Sequence, residues 1–144
     1  MLQSIAYLSK SNFHPSAIEL SELVAKIQAK NASMGVTGFL IYDRHRFFQY
    51  IEGQSDTLLE LFETIKNDPR HTILSQSSKS IESRSFKNWS MRMLHFENLT
   101  KILPENNLID LVVFSNAHPE LFPSWEENAW EIIGQIGRLN ASVA

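Results

Sequence analysis

The chain has no cysteine, which excludes disulfides and thiolate metal ligands and suits a reducing compartment. It also lacks any apolar run near the ~20 residues needed to span a bilayer, and Met1 to Ser9 has neither the basic start nor the apolar stretch of a signal peptide. Charge of one sign is missing too. The 13 Lys and Arg nearly balance the 16 Asp and Glu, and they are spread along the chain rather than gathered into the basic stripe that nucleic acid demands. His14, His45, His71, His95 and His118 show none of the i, i+3 or i+4 spacings that place two imidazoles on one metal. These absences predict a soluble cytoplasmic protein without a nucleic-acid, membrane or metal partner. With 144 residues it can bury roughly two-thirds of its unfolded surface in one core.

What is present is organised around Arg46 to Gly53, RFFQYIEG. Side chains alternate across a strand, so Phe47, Gln49 and Ile51 share one face while Phe48 and Tyr50 share the other. Neither face reads as wet, as expected of an interior strand covered on both sides. Gln49 is the anomaly. A buried carboxamide left unpaired costs roughly 1–3 kcal/mol, so something polar must meet it.

The elements on either side follow from spacing. Leu2 to Ser9 reads as a strand with Ile5 and Tyr7 on one face. Ser16-Ala17-Ile18-Glu19 has the pattern of a capping box, and Leu20, Leu23, Ile27 and Asn31 recur behind it at helical spacing, giving a helix from about Ser16 to about Asn31. Its apolar stripe thus ends in an amide. Gly35 to Tyr42 is a strand, joined by Asp43 to Arg46 to the central one as a hairpin. A second helix, capped by Ser55 or Asp56, directs Leu58, Leu61, Phe62 and Ile65 at the sheet and stops before Pro69. His71 to about Ile81 is a fourth strand. After a turn over Arg84 to Asn88, Trp89 to Phe96 alternates as a fifth, with Trp89, Met91 and Met93 on one side.

The order βαββαββ predicts an α+β, ferredoxin-like fold: a five-stranded mixed sheet with two helices on one face. Two further helices, Glu105 to Asn116 and one begun by Ser124-Trp125-Glu126-Glu127, would cover the opposite face against Phe48 and Tyr50. The plausible internal boundary is Phe96 to Pro104, separating residues 1–96 from a helical cap of residues 97–144. The polar outliers Tyr7, Asn31 and Gln49, with Asp68, Arg70 and His71 at the adjoining loop and Trp89 and Met91 on the last strand, gather at one face. A phenol, two amides and a methionine around an apolar slot suit a flat ligand with imide edges. They do not suit hydrolysis.

These residues resemble the BLUF domains, blue-light sensors that use FAD. The matching pieces are IAYLS with Tyr7, KNASMGVTGFLIY with Asn31, FFQYIEG with Gln49, DPRH with Asp68, Arg70 and His71, and RSFKNWSM with Trp89 and Met91; together they span roughly residues 2–96. The resemblance implies that residues 1–96 form a photosensory domain binding FAD non-covalently. Asn31 would bond the flavin imide edge, and Gln49 would bridge the Tyr7 hydroxyl and the flavin N5 and C4 carbonyl region. Leu23, Ile27 and Ile65 would pack on the ring, and Asp68, Arg70 and His71 would hold the cofactor's polar end. It implies proton-coupled electron transfer from Tyr7, rearrangement of Gln49 beside Trp89 or Met91, and a small red shift in absorption. Short members of the family act through a separate effector protein, and a homo-oligomer is expected. Two positions depart from the pattern: Lys30 stands where many members have Asn, and Ile27 where many have Ser, so the contacts at the flavin's C2 carbonyl edge differ. The competing reading is a flavin-binding or small-ligand enzyme on the same scaffold. Against it, no nucleophile or general base stands out beyond the scattered histidines.

Overall fold

The computed structural model describes residues 1–43, 45–94 and 125–143. Strand β1 (Leu2–Ser11) leads to helix α1 (Ala17–Ser33), then to strands β2 (Thr37–Asp43) and β3 (Arg46–Gln54), helix α2 (Ser55–Lys66), strand β4 (His71–Ile81), strand β5 (Arg92–Leu94) and helix α3 (Trp125–Val143). The sheet order is β4-β1-β3-β2-β5. All pairings are antiparallel except that of β2 with β5. This is the five-stranded mixed sheet of a ferredoxin-like α+β fold, with β3 interior as its two-sided apolar pattern requires.

Two cores form, one on each face. On the first, Tyr7, Leu40, Phe47, Ile51 and Met91 pack with Val24 of α1 and Leu58, Leu61 and Phe62 of α2. On the second, Ala6, Leu8, Phe39, Phe48 and Tyr50 pack with Phe86 and with Ala129, Ile132, Ile133 and Ile136 of α3. Alternation along β3 is what splits its residues between them. The second expected cap helix, Glu105 to Asn116, lies outside the described residues, as do Ser124, His95 and His118.

Local chemistry sets the boundaries. Ser16 caps α1 with its hydroxyl accepting from the Glu19 N–H, and the Glu19 carboxylate accepts from the Ser16 N–H. Helix α1 runs past Asn31 to Ser33 and stops where Gly35 takes φ +67°, a left-handed conformation that glycine adopts without a steric penalty. Gly38 has φ +147°, and a Cβ there would meet the Tyr50 carbonyl oxygen at 1.9 Å, so β2 can approach β3 this closely only without a side chain.

Three expectations change. Asp43 pairs directly with Arg46, so the hairpin link is shorter than Asp43 to Arg46. Helix α2 begins at Ser55 itself, and its N-cap, Gln54, makes no side-chain capping bond. Ser55 instead donates its hydroxyl to Gln3 Oε1 at 2.8 Å, tying the helix start to β1. The fifth strand is the short Arg92–Leu94 rather than a run from Trp89, because Met91 adopts φ +64° and interrupts the extended chain.

Candidate functional site: a cleft between two helices and the sheet

A cleft opens between α1, α2 and the first face of the sheet. Tyr7, Leu23, Ile27, Lys30, Asn31, Gln49, Ile65, Asp68, Arg70 and His71 all line it, so these predicted site residues come together in space. Phe13, Leu40, Phe47, Leu61 and Thr64 complete the walls. Phe47 and Leu61 were legible from strand alternation and helical spacing. Phe13 sits alone after β1 and carries no sequence signal.

At the floor, β1 and β3 are paired so that Tyr7 lies opposite Gln49. The register puts the phenol against the carboxamide, and the Tyr7 hydroxyl donates to Gln49 Oε1. Gln49 Nε2 then faces the Met91 sulfur at 3.1 Å, a weak acceptor. All three side chains are buried. Burial, reinforced by the negative charge of Asp68, pushes the Tyr7 pKa far up, so the phenol keeps its proton at any physiological pH.

Trp89 is placed elsewhere. The turn between Trp89 and Met91, closed by the Met91 N–H on the Trp89 carbonyl at 2.8 Å, carries the chain from one face of the sheet to the other. Trp89 therefore packs with the second core, its ring 5.1 Å from that of Phe86 and under the Arg92 guanidinium at 4.9 Å. Met91 packs with the first. The expectation that Trp89 and Met91 share a face is corrected: Met91 is the neighbour of Gln49.

One wall holds an unpaired amide. Asn31 is 2 % exposed, and its Nδ2 has no hydrogen-bond partner among the described residues, although it lines the cleft. An orphaned buried donor costs roughly 1–3 kcal/mol, which a ligand acceptor in the cleft would recover. Apolar walls with an amide at the edge fit a flavin with its imide carbonyls. Leu23, Ile27 and Ile65 are the apolar wall residues that would lie against such a ring, and Asn31 the group that would donate to its edge. At the rim Arg70 grips Asp68 through Nε at 3.0 Å and Nη2 at 2.5 Å. Hydrogen bonds from Arg70 hold the Asp68 carboxyl below the usual range despite partial burial, and Asp68 in turn raises Arg70. The rim thus presents a neutralised pair. His71 has both ring nitrogens engaged. Nε2 lies 2.6 Å from the Ile65 carbonyl, to which it donates, and Nδ1 lies 2.8 Å from the Ser9 hydroxyl, from which it accepts in the neutral ring. It offers the cleft its ring alone, edge-on to Tyr7 with centroids 5.9 Å apart.

A cleft of this kind, apolar-walled with amides at its floor and edge, defines a ligand-holding α+β domain. The family model for BLUF, sensors of blue light using FAD, matches residues 2–92, and the chain belongs to that family. It is 34% identical over 103 residues to the photoactivated adenylate cyclase subunit alpha of Euglena gracilis, which covers 69% of this chain but only 10% of that protein. The dark-state structure of BlrB, a BLUF protein, superposes with a TM-score of 0.76 at 28% identity, covering 95% of this chain and 96% of that one. A bacterial light-regulated adenylyl cyclase superposes with a TM-score of 0.71 at 28% identity, over 85% of this chain and 36% of that chain. The matched region is thus a BLUF domain, the kind described as a sensor of blue light using FAD.

The orphaned amide yields a prediction. Asn31→Leu keeps the volume but removes the donor, so FAD affinity should fall about tenfold, the upper end of what one hydrogen bond contributes. Fluorescence titration of flavin into the stripped protein measures it; an unchanged Kd rules out Asn31 as a flavin ligand.

Proposed function

We propose that the chain detects blue light through the buried series Tyr7, Gln49 and Met91 and passes the result through the sheet to α3, whose outer surface is read by a separate effector protein. One observation carries this reading: a single carboxamide joins the phenol on β1 to the sulfur beside β5. Bound FAD supplies the absorption of blue light and, once excited, an electron acceptor. The work of the chain is to hold and move protons. Tyr7 keeps its hydroxyl proton aimed at Gln49 Oε1, so loss of an electron from the phenol is matched by transfer of that proton to the amide oxygen. As the electron returns to the phenol, Gln49 gives a proton back to it and is left in a different orientation or tautomer.

Met91 makes the change directional. A thioether has no hydrogen to donate, so it tolerates the amide NH2 but not the amide oxygen. A turned Gln49 therefore loses its sulfur contact, and Met91 must shift. Its left-handed backbone, which costs an ordinary residue roughly 1–2 kcal/mol, favours such a shift once the contact is gone. Because the Trp89 to Met91 turn crosses between faces, a movement there reaches Trp89, Phe86 and α3 without crossing the sheet interior. Packed elements jump between discrete arrangements, so the output is a two-state rearrangement of β5 and the cap.

In this reading residues 97–144 form the output cap and the chain itself catalyses nothing; the cyclase relatives are much longer proteins. The sensor is read as cytoplasmic; among the described residues no helix is long and apolar enough to cross a membrane. Hydrogen exchange in the dark and under blue light tests the route. Altered protection in β5, in residues 84–91 and in α3 is expected. Changes confined to the cleft would show that α3 is an inert cover.

A further inference from the structure

We propose that Gln28 is a positioning residue for the photoactive amide: it fixes the backbone of Met91 so that the sulfur stands where Gln49 Nε2 can reach it. The inference rests on the reading of Gln49 and Met91 given above. Gln28 lies on α1 next to Ile27, a residue of the cleft wall, yet it does not line the cleft. Its Nε2 donates to the Met91 carbonyl oxygen at 3.1 Å. The bond spans 63 positions of sequence and is partly buried, so it is a tertiary link between the cofactor-side helix and the turn that crosses the sheet.

Met91 needs such a link. It is fully buried with φ +64°, a conformation that an unbranched L-residue holds only when its surroundings over-determine it. Three bonds do so here. The Met91 N–H donates to the Trp89 carbonyl at 2.8 Å, the Gly38 N–H donates to that same carbonyl at 2.8 Å, and Gln28 takes the Met91 carbonyl. The first two anchor the turn to itself and to β2. Only the third ties Met91 to the helix that packs over the cofactor, so the sulfur is registered against the same wall that registers the flavin.

The consequence lies in the return from the lit state. When Gln49 turns back, its NH2 must find the sulfur again, and the Gln28 bond to the Met91 carbonyl limits how far Met91 has shifted and so keeps that acceptor within reach. Without Gln28, Met91 relaxes further from the left-handed region, and the return has to re-form it.

The experiment uses the full chain loaded with FAD. A blue pulse is followed by the decay of the absorption shift in the dark, for the parent, Gln28→Leu, Met91→Ala and the double variant. Gln28→Leu should keep the flavin and the shift but slow the return about fivefold, the factor one ordinary hydrogen bond yields. In the Met91→Ala background the same substitution should change nothing, because the group it positions is gone. A purely structural glutamine would lower the melting temperature without that dependence on Met91. An unchanged return in Gln28→Leu, with an altered one in Met91→Ala, overturns this inference and leaves the role of Met91 standing. An unchanged return in Met91→Ala overturns both. An undiminished Gln28→Leu effect in the double variant shows that Gln28 acts elsewhere and overturns the inference. Should Gln28→Leu lose its flavin, Gln28→Glu, which keeps the shape but turns an acceptor toward the Met91 carbonyl, must show the same slowing and the same dependence on Met91.

Discussion

Gln49→Leu should give a folded, yellow protein that blue light no longer shifts. Leucine matches the volume of the amide and suits the apolar neighbours Phe47 and Ile51, so the sheet has no reason to break. It offers neither the acceptor now used by Tyr7 nor the donor now aimed at Met91. Nothing is left to rearrange. The Tyr7 hydroxyl then stays buried without its partner, which costs roughly 1–3 kcal/mol and should lower the melting temperature by a few degrees. Tyr7→Phe should also abolish the shift, since it removes the proton that the amide oxygen receives, and it avoids the orphaned hydroxyl. The measurement is a visible difference spectrum before and after illumination. A shift of parental size in either variant would remove that residue from the photochemistry.

Much of this site could be read in advance, for reasons specific to each residue. The strict two-residue period of RFFQYIEG places Gln49 with Phe47 and Ile51, and the capping box at Ser16 starts α1 so that Leu23, Ile27 and Asn31 fall on one stripe. Periodicity works where the backbone is regular, and it fails where the backbone turns. Trp89 and Met91 are two apart and read as same-face neighbours, but the chain crosses the sheet between them, and no residue type announces a methionine with positive φ. Gln28 was invisible for a different reason. A glutamine in mid-helix looks like a solvated side chain, and only the fold brings it to a carbonyl on the far side of the sequence. His71 and Arg70 illustrate a third limit: their presence at the cleft was legible, but not that Ile65, Ser9 and Asp68 already occupy their polar atoms.

Glu52 falls on the face that alternation gives it, but its burial carried no signal in the sequence, and its loss should be the most costly to stability. It stands next to Gly53 at the end of the central strand, where a carboxylate ordinarily marks the exit into water. Here it is 0 % exposed, on the face that α3 covers. Its two oxygens accept from the Phe86 N–H at 2.6 Å, the Ser85 N–H at 3.2 Å and the Tyr50 hydroxyl at 2.8 Å. Arg84 closes the group by donating to the Glu52 carbonyl at 3.2 Å and to Thr37 at 2.9 Å. Burial together with the neighbouring Glu52 charge raises the Tyr50 pKa, so Tyr50 remains a donor. The carboxylate thus pins the start of the crossing segment to β3 and seats Phe86, fully buried, beside α3 at Gly137. Glu52→Ala would remove three hydrogen bonds to a buried carboxylate at once. A bond to a charged group contributes roughly 1.5–3 kcal/mol, so a loss of about 4 kcal/mol is expected, a large part of the ~5–15 kcal/mol that holds a domain together. Glu52→Gln should fall between, because it keeps one acceptor oxygen while turning an NH2 toward a backbone N–H that can only donate. Thermal or urea unfolding of the FAD-loaded protein measures both. The cleft lies on the other face, so whatever fraction stays folded should keep the parental flavin spectrum. A melting temperature within a degree of the parent for Glu52→Ala would mean that water replaces the carboxylate freely and that the crossing segment is held by Phe86 packing alone.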